Sequence, residues 1–291
     1  MNYNLLNNKI HEQSIKLLGA EAEIIEPIRY KDGIYVCRTT AGGKHCVFKY
    51  FENKLYACEI QIYALLKKHG MQTLNLYGTS ADCICMEDLK YSPTNRLAEA
   101  EDVNSTNRIK ALAKWYKKLH GIVLDAKLLN SLYNENSIIT VDNIEKLIEK
   151  FPDNDFFNLF IKNFKIITEK LNALPKCLCY NDFAYENMIC SKTSNDAFMY
   201  DFNLAGVNYP YADIRNVLSG LNAKMQKIFL KEYSNFDKSQ IIPDKILGSL
   251  VTIINAYIKY NEPPKWAAAC IAELTNGTLF KNLKILLKNK Y

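Results

Sequence analysis

Three runs near the start of the chain, residues 22–29, 34–39 and 45–50, concentrate β-branched and aromatic side chains. The breaks between them, Lys31-Asp32-Gly33 and Ala41-Gly42-Gly43-Lys44, carry the residues that tight hairpin turns demand, so the pattern predicts a three-strand antiparallel meander. A helical stripe follows, with Leu55, Ile60, Ile62, Tyr63 and Leu66 on its apolar side and Gly70 as its stop. Two short strands are expected at 74–79 and 83–87. Past residue 90 the spacing becomes helical. Ile109, Leu112, Ala113, Tyr116 and Leu119 mark one helix ending at His120-Gly121, and two more fit 141–151 and 156–173. One strand-rich island, about 177–207, interrupts this half, and the C-terminal residues after it read as helical. No Gly/Ser/Pro-rich linker and no repeat is visible. The expected organisation is α+β: an antiparallel-sheet lobe over residues 1–89 joined to a larger helical lobe over 90–291.

Composition fits a folded protein, with 48% hydrophobic and 23% charged residues and only 11 Gly and 8 Pro among 291 residues. The net charge is +6, and its lysines thicken only near the end, at Lys281, Lys284, Lys288 and Lys290. Such a scattered excess reads as solvated surface and not as a nucleic-acid track. The first twenty residues lack the apolar core of a signal peptide. The longest apolar stretch, 246–258, is broken by Gly248, Ser249, Thr252 and Asn255, short of the roughly 18 residues a membrane span requires. Nine cysteines form no disulfide framework, and the pairs Cys83/Cys85 and Cys177/Cys179 sit in apolar, strand-like runs. Buried thiols in a reducing cytoplasm are expected, without metal ligation. Trp115 and Trp266 read as packing residues, and His120 as a helix C-cap.

The island holds the chemistry. It runs Cys179-Tyr180-Asn181-Asp182-Phe183-Ala184-Tyr185-Glu186-Asn187, then a strand, a polar turn at 192–196, and a returning strand that ends in Tyr200-Asp201-Phe202. A hairpin of that shape brings Asn187 and Asp201 together at its open end beside Asp182. Three oxygen-bearing side chains converging on loop and strand ends can place a base and hold a hard cation such as Mg²⁺.

The D-x-x-x-x-N of Asp182 and Asn187, followed by Asp201-Phe202, resembles the catalytic loop and metal-binding aspartate of the aminoglycoside phosphotransferase / choline kinase family, which has the two-lobed protein-kinase-like fold. The resemblance implies that Asp182 accepts or orients the proton of a substrate hydroxyl, and that Asn187 and Asp201 hold Mg²⁺ on the phosphates of ATP. It implies further that Lys49, closing the third strand, pairs those phosphates and that Glu59 orients Lys49. Glu87, Asp88 and Leu89 then fall at the hinge, whose backbone meets adenine. Asp213, in Tyr211-Ala212-Asp213-Ile214-Arg215, resembles the aspartate that braces the catalytic loop.

Two departures stand out. The family's usual histidine is Tyr180 here, and the first hairpin carries only Gly33 in place of G-x-G-x-x-G. The phrase Asn-Asp-Phe-Ala-Tyr-x-Asn also resembles a spore-coat-associated branch. The expected function is therefore an ATP- and Mg²⁺-dependent kinase acting on the hydroxyl of a small molecule: an amino alcohol, an amino sugar or an aminoglycoside-like compound. The alternative is a degenerate kinase-like protein with a structural role.

Overall fold

The structure, a computed structural model, describes residues 3–260 and 262–288; Lys290, the last of the C-terminal lysines, lies outside them. The chain opens on a helix the residue pattern does not announce, α1 (Tyr3–Leu18). Its asparagine-rich sequence buries little more than Leu6, Ile10 and Ser14, while Leu5 and Ile15 stay exposed. Tertiary packing, not amphipathic patterning, holds this element.

The expected meander follows as β1 (Ala22–Lys31), β2 (Ile34–Ala41) and β3 (Lys44–Phe51). Its turns have positive φ at both central residues, 54° and 78° at Asp32-Gly33 and 56° and 73° at Gly42-Gly43, the geometry that matches the twist of paired strands. α2 (Cys58–Lys68), β4 (Leu76–Thr79) and β5 (Cys83–Glu87) complete a five-stranded antiparallel sheet in the order β1-β2-β3-β5-β4. Leu55 is not part of the helical stripe. It is 80% exposed and sits in a turn whose backbone bonds to the Asn53 side chain, which delays the helix to Cys58.

The second half is built on α3 (Thr106–His120), preceded by the short strand β6 (Asn95–Leu97). α4 (Ala126–Ser131), α5 (Val141–Lys150), α6 (Asp155–Lys162) and α7 (Phe164–Asn172) come next. The single helix expected over 156–173 is two, because Asn163 leaves helical geometry at φ −114° and ψ 17° and its side-chain Nδ2 donates to the Leu159 carbonyl at 2.9 Å. The island contributes β7 (Cys177–Cys179), β8 (Met188–Ser191), β9 (Ala197–Met199) and β10 (Gly206–Asn208); β7 pairs with β10, and β8 lies between β6 and β9. α8 (Pro210–Ser219), α9 (Ala223–Tyr233), α10 (Ile241–Lys259), α11 (Ala268–Thr275) and α12 (Thr278–Lys288) follow.

Three apolar clusters result. The largest runs from the α2 side of the sheet through Ile109, Leu112 and Tyr116 of α3 to Tyr180 and Phe202. A second lies among α5–α7, α10 and α12, and a third under α1. By length and composition the stretch 238–258 is apolar enough to cross a membrane, but Ile246, Leu250 and Ile253 of α10 are fully buried in the second cluster. Trp115 packs in the core as expected. Trp266 does not: it is 54% exposed, with the Tyr260 ring steeply inclined to it at 6.0 Å.

One contact fixes how the loop after α4 meets the island. The Tyr133 carbonyl accepts from the Val207 amide at 2.7 Å, and a Cβ on Gly206 would stand 2.0 Å from that oxygen. Gly206→Ala should therefore cost about 2 kcal/mol or more, since overpacking against backbone leaves no flexible side chain to yield. Chemical denaturation checks it; an unchanged midpoint would show that residues 132–135 move freely.

Candidate functional site

Lys49 sits on the cleft face of β3, directly opposite Val36 of β2, which in turn is opposite Arg29 of β1. Its ammonium, 8% exposed, contacts Glu59 of α2 at 2.5 Å and also pairs with Asp201, 152 residues away in sequence. Burial works against the charge on Lys49, but the two carboxylates hold its pKa above the ordinary lysine value. Glu59 is fully buried and turns its other bond to the Phe202 amide at 3.1 Å, so one carboxylate ties the sheet to the segment after β9.

The β8–β9 hairpin brings Asn187 and Asp201 to one end. Met188 faces Met199, and the Tyr200 amide donates to the Asn187 carbonyl at 3.1 Å. The Asn187 side-chain amide reaches the Asp182 carboxylate at 3.3 Å. Asp182, Asn187, Asp201, Lys49 and Glu59 thus line a single cleft of about 430 Å³, with Ile34, Val36, Val47 and Met86 as its apolar wall. Burial, and after it the charge of Asp201, push the Asp182 carboxyl up to about 6, while Asn187, Lys31 and Arg29 pull it back. Asp201 has φ 61° and Asn181 φ 65°, so two residues of this site are held in a backbone conformation that L-residues seldom adopt.

Glu87, Asp88 and Leu89, expected at the hinge, are committed differently and do not line the cleft. Glu87 is buried and accepts from the Asn75 amide, the Ser92 hydroxyl and the Asn95 side chain. Asp88 is paired with Arg38, and Leu89 packs on the main core. The cleft wall at this end is Met86.

Beneath the Asp182 loop lies Asp213, 1% exposed, which accepts from the Tyr180 amide at 2.6 Å and the Asn181 amide at 2.7 Å. His120 is the last residue of α3, yet its ring does not cap the helix. Nε2 lies 3.0 Å from Asp213 and Nδ1 2.8 Å from the Tyr233 hydroxyl. The Cys177 and Cys179 sulfurs, 3.4 Å apart, are close to this ring, whose two nitrogens are already engaged. Tyr180 donates its hydroxyl to the Tyr200 carbonyl at 2.6 Å, and its ring meets Phe202, Trp115 and Tyr116 edge-on.

Sequence reasoning missed Glu135, which opens a single 3-10 turn, Glu135–Ile138, that carries no motif. Its carboxylate accepts from Asn208 at 2.7 Å, and the same Asn208 amide donates to Asn181 Oδ1 at 3.2 Å, so a polar row leads from Glu135 to the residue before Asp182. The Asn-Asp phrase flags Asn181, but nothing local flags its partner.

The oxygen donors of Asp201 and Asn187 on adjacent hairpin ends suit a hard divalent cation. Asn203 Oδ1, a buried acceptor without a hydrogen-bond partner among the described residues, also belongs to this cleft wall. The donor set fits Mg²⁺ and a nucleotide.

Burial pushes the Glu135 carboxyl up to about 7, against the opposing charge of Arg215 and the Asn208 bond. Its folded value lies above its ordinary 4.5, so folding favours the protonated form. The resulting penalty is absent at low pH, grows between those values and is complete above the higher one. Glu135→Gln keeps an acceptor for Asn208 and should raise the melting temperature more at about pH 8 than at about pH 5. Equal shifts at both would mean that the carboxyl titrates normally.

No protein-family model and no curated protein matches the chain. Solved structures do. The chain is similar to a choline kinase from Streptococcus pneumoniae (17% identity, TM-score 0.64, covering 98% of this chain and 100% of that one). It is similar to a choline/ethanolamine kinase family protein from Mesorhizobium loti (14% identity, TM-score 0.63, 98% and 99% covered). A third likeness is to the phosphotransferase APH(2″)-IIa, solved with streptomycin and ATP (19% identity, TM-score 0.58, 97% and 96% covered). Sheet, hairpin site and helical half together give this chain the two-lobed protein-kinase-like fold of the choline and aminoglycoside phosphotransferases.

Proposed function

We propose that the chain is a member of the aminoglycoside phosphotransferase / choline kinase family, and that it transfers the γ-phosphate of ATP, with Mg²⁺, to a hydroxyl of a small molecule such as an amino alcohol or amino sugar. The observation that carries this reading is the meeting of Lys49, Glu59, Asp182, Asn187 and Asp201 in one cleft, from β3, α2 and the segments before and after the β8–β9 hairpin. Structural neighbours solved with ATP or AMP support nucleotide use.

Each residue then has a physical task. Lys49, held in place by Glu59, pairs the nucleotide phosphates, and the backbone at Glu87, Asp88 and Leu89 meets the base beside Met86. Asn187 and Asp201 hold the metal, which when bound neutralises charge on the phosphates. Asp182 aligns the acceptor hydroxyl and takes its proton, a role for which a carboxyl raised to about 6 is still ionised near neutral pH. Most of the rate enhancement comes from positioning and from electrostatics in the cleft. The division near residue 89 separates the part that carries the nucleotide from the part that carries catalysis and acceptor.

The alternative reading, a degenerate kinase with a structural role such as in a spore coat, rests on Tyr180 in place of histidine. The Tyr180 hydroxyl bonds the Tyr200 carbonyl, and its ring packs under Asp201-Phe202. That bracing supports a working loop.

The deciding experiment is phosphate transfer from ATP over a panel of choline, ethanolamine, amino sugars and aminoglycosides. Transfer to at least one is expected, and none to any of them would favour the structural role. Asp182→Asn should lower kcat about a hundredfold or more while ATP affinity stays within about twofold, because a lost base acts on the transition state. Normal turnover with weakened binding would remove Asp182 from that role. Asp201→Ala should abolish the Mg²⁺ dependence of nucleotide binding in a titration, and a variant that keeps it would place the metal elsewhere.

A further inference from the structure

The first hairpin cannot wrap a phosphate with its backbone. β1 and β2 stay paired to Lys31 opposite Ile34, and the turn between them is only Asp32-Gly33. Its tip is pinned as well: the Gly33 carbonyl accepts from both the Glu52 and Asn53 amides, at 2.9 and 3.1 Å. A glycine-rich flap binds phosphate through free amides on a loop that can close over it. Here the loop is too short and too tethered to act so.

The hairpin offers charge instead. A register shift between Pro27 and Arg29 inserts Ile28 as an extra residue, and such a bulge re-aims the side chains that follow it. Arg29 comes to lie opposite Val36, and Lys31 opposite Ile34, so both share the face of two residues on the cleft wall. Arg29 stands in the same cross-strand row as Lys49. Both cations line the cleft together with Asp182, Asn187 and Asp201. Lys49 is already held by two carboxylates, whereas the nearest carboxylate to Lys31 is Asp32 at 3.9 Å, with both side chains about 60% exposed. A nucleoside triphosphate brings close to four negative charges into this cleft, and Arg29 and Lys31 are the cations there with room to meet them.

We propose that Arg29 and Lys31 bind the β- and γ-phosphates of the nucleotide from above, supplying through side chains what a glycine-rich loop supplies through backbone. This rests on the nucleotide-binding reading of the cleft. Arg29 offers a planar fork for two phosphate oxygens, and Lys31, nearer the tip, offers a mobile point charge over the transferring group.

Calorimetric titration of the wild type, Arg29→Ala, Lys31→Ala and the double variant with AMP, ADP and ATP in Mg²⁺ tests the proposal. Each single variant should lose about tenfold or more in ATP affinity and the double variant about a hundredfold, with AMP affinity within about twofold of wild type throughout. Arg29→Lys should recover only part of the Arg29→Ala loss, since it restores the charge without the fork, and melting temperatures should stay within a few degrees, since both side chains are exposed. A double variant that binds ATP like the wild type would overturn the proposal, as would equal losses for AMP and ATP, which would make the two residues braces of the sheet. A wild type that binds no nucleotide at all would instead overturn the nucleotide reading itself.

Discussion

The buried carboxylate of Asp213 sets the shape of everything around Asp182. An ionised carboxylate taken out of water costs several kcal/mol unless its lone pairs are met. Here they are met by two consecutive backbone amides, from Tyr180 and Asn181, and by the ring of His120. Two amides aimed at one side chain force the chain to turn between them, and Asn181 takes up the left-handed backbone that the turn requires. Asp182 leaves that turn pointing into the cleft. The position of Asp213 is in turn fixed by α3 and α9 through His120 and Tyr233. The helical core thus hands its rigidity to a loop that has little of its own.

A second column meets this one from the sheet. Tyr63 of α2 stands edge-on to Phe202, with ring centroids 4.9 Å apart, and Phe202 stands edge-on to Tyr180 at 5.7 Å. Trp115 of α3 closes the stack and is tied by its indole N–H to the Gln72 carbonyl. These rings are buried, so moving α2 would open apolar surface on both sides. Glu59 and Tyr63 are one helical turn apart on α2. The helix therefore couples the charge pair at Lys49 to the aromatic packing under Asp201, and Asp201 and Lys49 keep a fixed separation.

The charge distribution of the cleft differs from that of the whole chain. A net charge of +6 suggests a basic protein, but the cleft gathers the carboxyl groups of Glu59, Asp182 and Asp201, with Lys49 held between Glu59 and Asp201. Burial raises Asp182 and Glu135 above ordinary carboxyl values, and neighbouring carboxylates, Asp201 for Asp182 and Asp213 for Glu135, add to it. The gathered carboxyl groups also make the cations of the first hairpin valuable, because they face the anionic side from across the opening. Net charge describes the solvated surface; the site answers only to the charges within about a Debye length of it.

Local chemistry carried much of this molecule. The hairpin turns at Asp32-Gly33 and Gly42-Gly43, the strands between them and the spacing from Asp182 to Asn187 to Asp201 are written in neighbouring residues, because turn geometry and strand pairing act over short sequence distances. The meander and the meeting of Asn187 and Asp201 at one hairpin end were legible for that reason, whereas the kinase-like fold and the places of Lys49 and Glu59 were read from the family resemblance. Other features were not. α1 has no clear apolar stripe and exists because the sheet offers Leu6 and Ile10 a surface to cover. Asn163 splits a helix that apolar spacing alone would continue. His120 looks like a helix end and turns out to brace Asp213, 93 residues further on, and Glu135 meets Asn208 across 73. A side chain's type is fixed by the sequence, but its partner is chosen by whichever distant element packing brings within hydrogen-bond reach, and only the tertiary structure decides that.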